Sequence, residues 1–135
     1  MEKCNRSHSR GKLIVVGIGP GSHDHLTHRA EEVIKSCDVL MGYRTYLRLI
    51  IDLIKDQVVI SYGMGEEVKR CKKAMEYASK GKKVVLVSSG DPGIYGMAGP
   101  VYEVLNDKFN ELKNLEFSVE VVPGVPAFCA AAACL

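Results

Sequence analysis

Lys83-Val84-Val85-Leu86-Val87, followed by Ser88-Ser89-Gly90-Asp91-Pro92-Gly93-Ile94-Tyr95-Gly96-Met97-Ala98-Gly99-Pro100, is the stretch on which the fold turns. The first five residues are a short apolar run, which predicts a fully buried strand. After the stretch, Val101-Tyr102-Glu103-Val104-Leu105 opens a helical pattern. Residues 88–100 are therefore a long strand-to-helix loop, with four glycines and two prolines. Glycine admits close backbone approach and positive φ, while proline stiffens the chain. A loop of this length inside a compact domain tends to be functional or disordered, and this one is apolar enough to be ordered.

The same strand-loop-helix unit recurs on both sides. Residues 13–16, 38–41, 57–60 and 117–122 are the other predicted strands. Between them, Leu26, Ala30, Val33, Ile34 and Cys37 fall on one helical face, with Asp24 or Thr27 as the cap. Residues 46–54 are apolar almost all round, which predicts a well-buried helix. A third helix carries Val68, Cys71, Met75 and Ala78 inward and Lys69, Arg70, Lys72 and Lys73 outward, and Gly81 suits its end. A fourth turns Val101, Val104, Leu105 and Phe109 inward. The last strand alternates more than the others, which predicts an edge position or antiparallel pairing. The expected class is α/β: a three-layer α/β/α domain with a mostly parallel five-stranded sheet. Residues 1–11 read as a loose leader and residues 12–135 as one domain.

At 135 residues, 47% hydrophobic and 25% charged, the chain suits one globular domain. Its net charge of +2 gives no electrostatic case for nucleic acid. No apolar run approaches the ~20 residues of a membrane span. Five scattered cysteines form no Cys-x-x-Cys pair, which points to a reducing, cytoplasmic setting. Residues 127–135 are small and apolar, without cap or polar face, and are expected to pack against a second domain outside this chain.

Ligands of open α/β sheets bind beyond the carboxyl ends of the strands. The loops there, residues 17–22, 42–43, 61–65, 88–99 and 123–127, are all rich in glycine, proline or both. Gly17-Ile18-Gly19-Pro20-Gly21-Ser22 approaches the dinucleotide fingerprint but carries Ser22 in place of the last glycine, and Pro20 lacks an N–H for a pyrophosphate. His23, His25 and His28 are read as solvated loop residues or contacts to an acidic substrate, since no fourth ligand accompanies them; no metal is expected. Asp91 is a general base or, more commonly for such a position, a turn former bonding the backbone. Tyr43, Tyr62 and Tyr95 stand at the rim, where tyrosine more often packs than catalyses. Arg44 and Arg48, one helical turn apart, form either a solvated face or a carboxylate clamp.

Gly17-Ile18-Gly19-Pro20-Gly21 with Leu26-Thr27 and Ala30, Gly90-Asp91-Pro92 with Tyr95-Gly96, and Pro123-Gly124-Val125 with Ala127 resemble, in this order, three signatures of the tetrapyrrole (corrin/porphyrin) methylase family. The resemblance spans residues 12–135. Gly42-Tyr43 with Tyr46 and the loop 88–99 look most like members that methylate ring carbon 17, with ring contraction, of corrin precursors in cobalamin synthesis. It implies S-adenosylmethionine as cofactor, held by Pro20, Ser89, Gly90, Asp91, Ile94, Pro126 and Ala127. It implies a corrin-precursor substrate oriented by Arg44 and Arg48, a homodimer, and an absent C-terminal domain. Tyr43 stands where some members carry a proton-accepting acid, and Pro126 where relatives often carry a hydroxyl. The isolated chain is expected to be inactive. Two other readings stand beside this one: a non-catalytic fragment that binds cofactor or dimerises through residues 127–135, and a nucleotide-dependent oxidoreductase domain.

Overall fold

The computed structural model describes residues 10–109 and 117–135, except for the side chains of Lys108 and Phe109. The expected inward placement of Phe109 and residues 1–9 of the expected leader lie outside the described residues. Five strands form one sheet: β1 (Gly11–Gly17), β2 (Val39–Tyr43), β3 (Val58–Tyr62), β4 (Lys83–Ser88) and β5 (Phe117–Val122). Gly11, assigned to the leader from sequence, already belongs to β1. The order is β3-β2-β4-β1-β5, and every pairing is parallel. β5 lies at an edge as expected, but it pairs parallel to β1; the antiparallel alternative is wrong. Its alternation reflects one covered neighbour and one open side, not a reversed direction.

Among the described residues, five α-helices complete the fold: α1 (His28–Lys35), α2 (Arg44–Leu49), α3 (Glu67–Ser79), α4 (Ala98–Phe109) and α5 (Ala127–Cys134). Side chains alternate across a strand, and the central strands use both faces. Leu13, Val15, Val39, Met41, Val84 and Leu86 face α3 and α4. Ile14, Val16, Leu40, Val85 and Val87 face α1 and α2. This is the expected three-layer α/β/α arrangement. Each fully buried aliphatic side chain contributes about 2 kcal/mol, so the central strands hold the layers together.

Local chemistry explains the helix ends. Thr27, and not Asp24, caps α1: its Oγ1 accepts from the Ala30 N–H at 3.1 Å. Gly81 follows α3 with φ +83°. The expected continuous helix over 46–54 is instead α2 followed by a 3-10 turn, Ile51–Leu53. Leu47, Ile50 and Leu53 are buried, whereas Leu49 and Ile51 are 45% and 63% exposed, so its burial is one-sided. Two residues of α3 are exchanged relative to expectation. Val68 is 53% exposed, and Arg70 is 4% exposed. Arg70 lies one turn before the buried Ala74, which puts it on the inner face. Its Nη2 lies 3.7 Å from Met97 Sδ, and its Nε has no partner.

Glu120 of β5 ties three elements together. It pairs with Lys12 of β1 at 2.5 Å and with Arg29 of α1 at 3.0 Å. Lys12 first, then Arg29, holds the Glu120 carboxyl below the usual carboxylate range. Its stabilisation is therefore present above the unfolded value near pH ~4 and is lost as pH falls through the lower folded value. Glu120→Gln is expected to cost about 1 kcal/mol at neutral pH, with the gap to the parent closing in acid. Urea denaturation at a series of pH values measures this. A gap of equal size at neutral and strongly acid pH would refute it.

Burial pushes the thiols of Cys37 and Cys71 up to about 11, while Cys129 and Cys134 are exposed on α5. Iodoacetamide at pH ~8 is expected to modify the exposed pair at least about tenfold faster than the buried pair. Peptide mapping by mass spectrometry reads the order directly.

Candidate functional site

Three loops leave the carboxyl ends of the adjacent strands β4, β1 and β5, with Gly17 in register with Ser88 and Val16 in register with Val122. They are stitched by backbone. The Ile18 N–H donates to Ser88 O at 3.0 Å, and the Gly19 N–H donates to Gly90 O at 3.1 Å. The Val125 N–H donates to Gly19 O at 3.2 Å. The approach is closer than any side chain permits. A Cβ on Gly19 would lie 2.3 Å from both Gly90 Cα and Val125 O, and one on Gly124 would lie 2.2 Å from Gly90 O. Gly90 itself has φ +54°, and its Cβ direction points to Pro126 Cα, 3.6 Å away. Pro20 follows Gly19 through a cis peptide bond. Pro20 thus follows a residue packed on Gly90, and Gly90 lies against Pro126, so the three loops meet beyond the carboxyl ends of the strands.

Asp91 is the polar clasp of these loops. Its Oδ1 accepts from the Gly93 N–H at 2.8 Å and its Oδ2 from the Gly124 N–H at 3.1 Å. Both carboxylate oxygens are occupied by backbone, so the geometry favours the turn-forming reading over the general base. The long loop is closed further by the Ala98 N–H on Pro92 O at 3.0 Å and the Met97 N–H on Ser88 Oγ at 3.1 Å. Helix α4 accordingly starts at Ala98, earlier than the sequence pattern suggested, with Pro100 in its first turn, where proline is tolerated.

The remaining residues stand around this centre. Ser89 is exposed, Ile94 is 44% exposed, and Ala127 opens α5. Tyr43 ends β2 beside β4, opposite Tyr62 of β3, and meets Tyr46 edge-on at 5.1 Å. Burial raises the Tyr62 hydroxyl above its ordinary value, so that residue stays protonated. Arg44 and Arg48 are exposed on α2. That helix abuts the first loop: His23 Nε2 lies 3.2 Å from Leu49 O. None of the salt bridges among the described residues uses either arginine.

Three features escaped the sequence reading. Gly124 as a packing surface had the signal of its Pro-Gly-Val-Pro setting. Arg70 beneath Met97 was signalled by its spacing to Ala74. The left-handed backbone of Tyr95, φ +53°, had no sequence signal at all. A hollow of about 920 Å³, lined in part by Tyr62, Glu66, Val68, Lys69, Lys72 and Lys73, lies along α3, away from the three loops. Its Lys69 and Lys73 are neutralised by Glu66 and Glu76.

Residues 12–135 match the family model of the Tetrapyrrole (Corrin/Porphyrin) Methylases. The chain belongs to the tetrapyrrole methylase family. It is 48% identical over 126 residues to a cobalt-factor III methyltransferase of Priestia megaterium, covering 93% of this chain and 23% of that protein. It is 42% identical over 123 residues to a probable cobalt-factor III C(17)-methyltransferase of Salmonella typhimurium, covering 91% of this chain and 49% of that protein. Among solved structures, the methyltransferase CobJ superposes with a TM-score of 0.83 at 31% identity, over 92% of this chain and 50% of that one. A uroporphyrin-III C-methyltransferase of Thermus thermophilus, complexed with S-adenosylhomocysteine, superposes with a TM-score of 0.68 at 26% identity, over 90% of this chain and 52% of that one. The chain therefore spans about a quarter to a half of the length of these relatives.

Proposed function

We propose that this tetrapyrrole methylase chain is the cofactor-binding half of an S-adenosylmethionine-dependent C-methyltransferase. Its acceptor is a corrin precursor of cobalamin synthesis, methylated at ring carbon 17, in the cytoplasm. The observation that supports the reading is the contact of Gly19, Gly90 and Gly124, which joins three loops into one backbone surface beyond the carboxyl ends of β1, β4 and β5. The donor set suits a sulfonium. Residues 17–22, 88–99 and 123–127 contain no lysine or arginine, so no basic side chain on them repels a positive sulfur, and backbone carbonyls favour it. The same absence, with Pro20 lacking an N–H, counts against a pyrophosphate and hence against the oxidoreductase reading.

Pro20, Gly90, Pro126 and Ala127 would wall the cofactor. Ser89 would contact its polar end, and Ile94 would pack on it. Asp91 acts chiefly by holding the wall, because its oxygens are committed to Gly93 and Gly124. S-adenosylmethionine supplies an activated methyl group whose departing thioether needs no acid. The chain's own task is to hold donor and acceptor in line and to exclude water, and such positioning is worth several kcal/mol. Arg44 and Arg48 would engage acceptor carboxylates. Tyr43 is the candidate for proton removal after transfer. The share of the relatives' length beyond this chain would cover these loops from the other side, against α5, which buries none of its own residues. We further propose that the complete protein is a homodimer and that this chain alone does not turn over.

Calorimetric titration with S-adenosylhomocysteine tests the reading, first with the chain alone and then with a separately supplied C-terminal half. Heat of binding is expected, stronger with both halves present. No heat in either case would overturn the assignment. Protection of the chain against heat by a nicotinamide cofactor would favour the oxidoreductase reading instead.

A further inference from the structure

We propose that Tyr95 is a stacking platform for the conjugated face of the macrocyclic acceptor, an assignment that rests on the methyltransferase reading. Tyr95 is the one non-glycine residue among those described with a left-handed backbone, φ +53°. That region is unfavourable for a bulky side chain and persists only where the surroundings impose it. Here they do. The Asp91 carboxylate holds Gly93, the Ile94 N–H donates to Asp91 O at 3.2 Å, and Ala98 and Met97 are tied to Pro92 and Ser88. Gly96 is hemmed in, with its Cβ direction 2.7 Å from both Asp91 O and Ser88 Oγ.

The fold gains nothing visible from this strain. The Tyr95 side chain is 107% exposed, and its hydroxyl has no hydrogen bond among the described residues. Glycine would suit the backbone better, so the ring is displayed for contact with something beyond the domain. Ile94 beside it is 44% exposed, which extends the apolar surface. The one charged side chain of residues 88–99, Asp91, is engaged with backbone. The platform is therefore uncharged and suits a flat ring body, because a tyrosine face stacks on conjugated systems. Arg44 and Arg48 on α2 suit anionic substituents. A conjugated macrocycle bearing carboxylate arms satisfies both features together, whereas adenine satisfies only the first.

The test titrates the 135-residue chain with uroporphyrin, followed by its main visible absorption band, and separately with S-adenosylhomocysteine. Tyr95→Phe is expected to bind the porphyrin within about twofold of the parent. Tyr95→Ala and Tyr95→Gly are expected to bind it at least about tenfold more weakly, by loss of stacking. S-adenosylhomocysteine affinity should stay unchanged in all three. Tyr95→Gly, freed of the backbone penalty, should also melt at a higher temperature than the parent, which separates lost stacking from misfolding. Undiminished porphyrin binding by Tyr95→Ala overturns the proposal. So does loss of S-adenosylhomocysteine binding instead, which would assign the ring to adenine. If the parent binds only S-adenosylhomocysteine, the platform falls and the methyltransferase reading stands. If it binds neither, the platform falls, and the methyltransferase reading is decided by the titration with both halves.

Discussion

Gly19→Ala is expected to destabilise the chain by about 3 kcal/mol and to abolish binding of S-adenosylhomocysteine. The added methyl would sit 2.3 Å from Gly90 Cα and 2.3 Å from Val125 O. Both obstacles are backbone, so no rotamer change relieves the clash. Relief requires the loops after β1, β4 and β5 to separate, which breaks the Gly19–Gly90 and Val125–Gly19 hydrogen bonds described above. Stability and ligand binding should therefore fail together. Urea denaturation and calorimetric titration of the same sample check both. A variant with parental stability and affinity would mean that these loops do not pack as described.

Asp91→Ala is expected to cost about 2 kcal/mol, because it removes the acceptor for two backbone N–H groups at once. Asp91→Asn should recover only part of this. Its remaining carbonyl oxygen can serve Gly93 or Gly124, and its amide nitrogen then faces a second donor. The pair of variants separates two roles. A residue that only accepted a proton would leave thermal stability unchanged in both. A clasp lowers stability in both and exposes the Gly93 and Gly124 amides to faster hydrogen exchange, which NMR measures.

How much of this was legible in sequence depends on how locally each feature is determined. The strands were legible because a parallel strand buried on both faces is an unbroken apolar run, as in Leu13, Ile14, Val15 and Val16. All five began or ended within a few residues of expectation. The loop contents were legible because glycine and proline report backbone demands directly. Three details were not. The direction of β5 depends on which strand it meets, and its own alternation says only that one side is open. The break after Leu49, where Ile50 leaves the helical region at φ −119°, is concealed by an all-round apolar pattern. Arg70 was placed outward by its charge, whereas its spacing from Ala74 carries it under Met97. In the candidate site, the glycines pointed to close approach, but the partner of each glycine emerged only from the sheet order.

That sheet order also has a temporal side. β1 is flanked by β4 and β5, whose pairings join Lys12 to Lys83 and Gly11 to Phe117. β1 therefore stays without either neighbour until β4, far along the chain, has emerged from the ribosome. Contacts so distant along the chain slow folding. An apolar, unpaired strand waiting that long is exposed to wrong association with other chains. The demand for chaperones should accordingly be highest before β4 appears, and the packing of the three loops is complete only after β5 has docked.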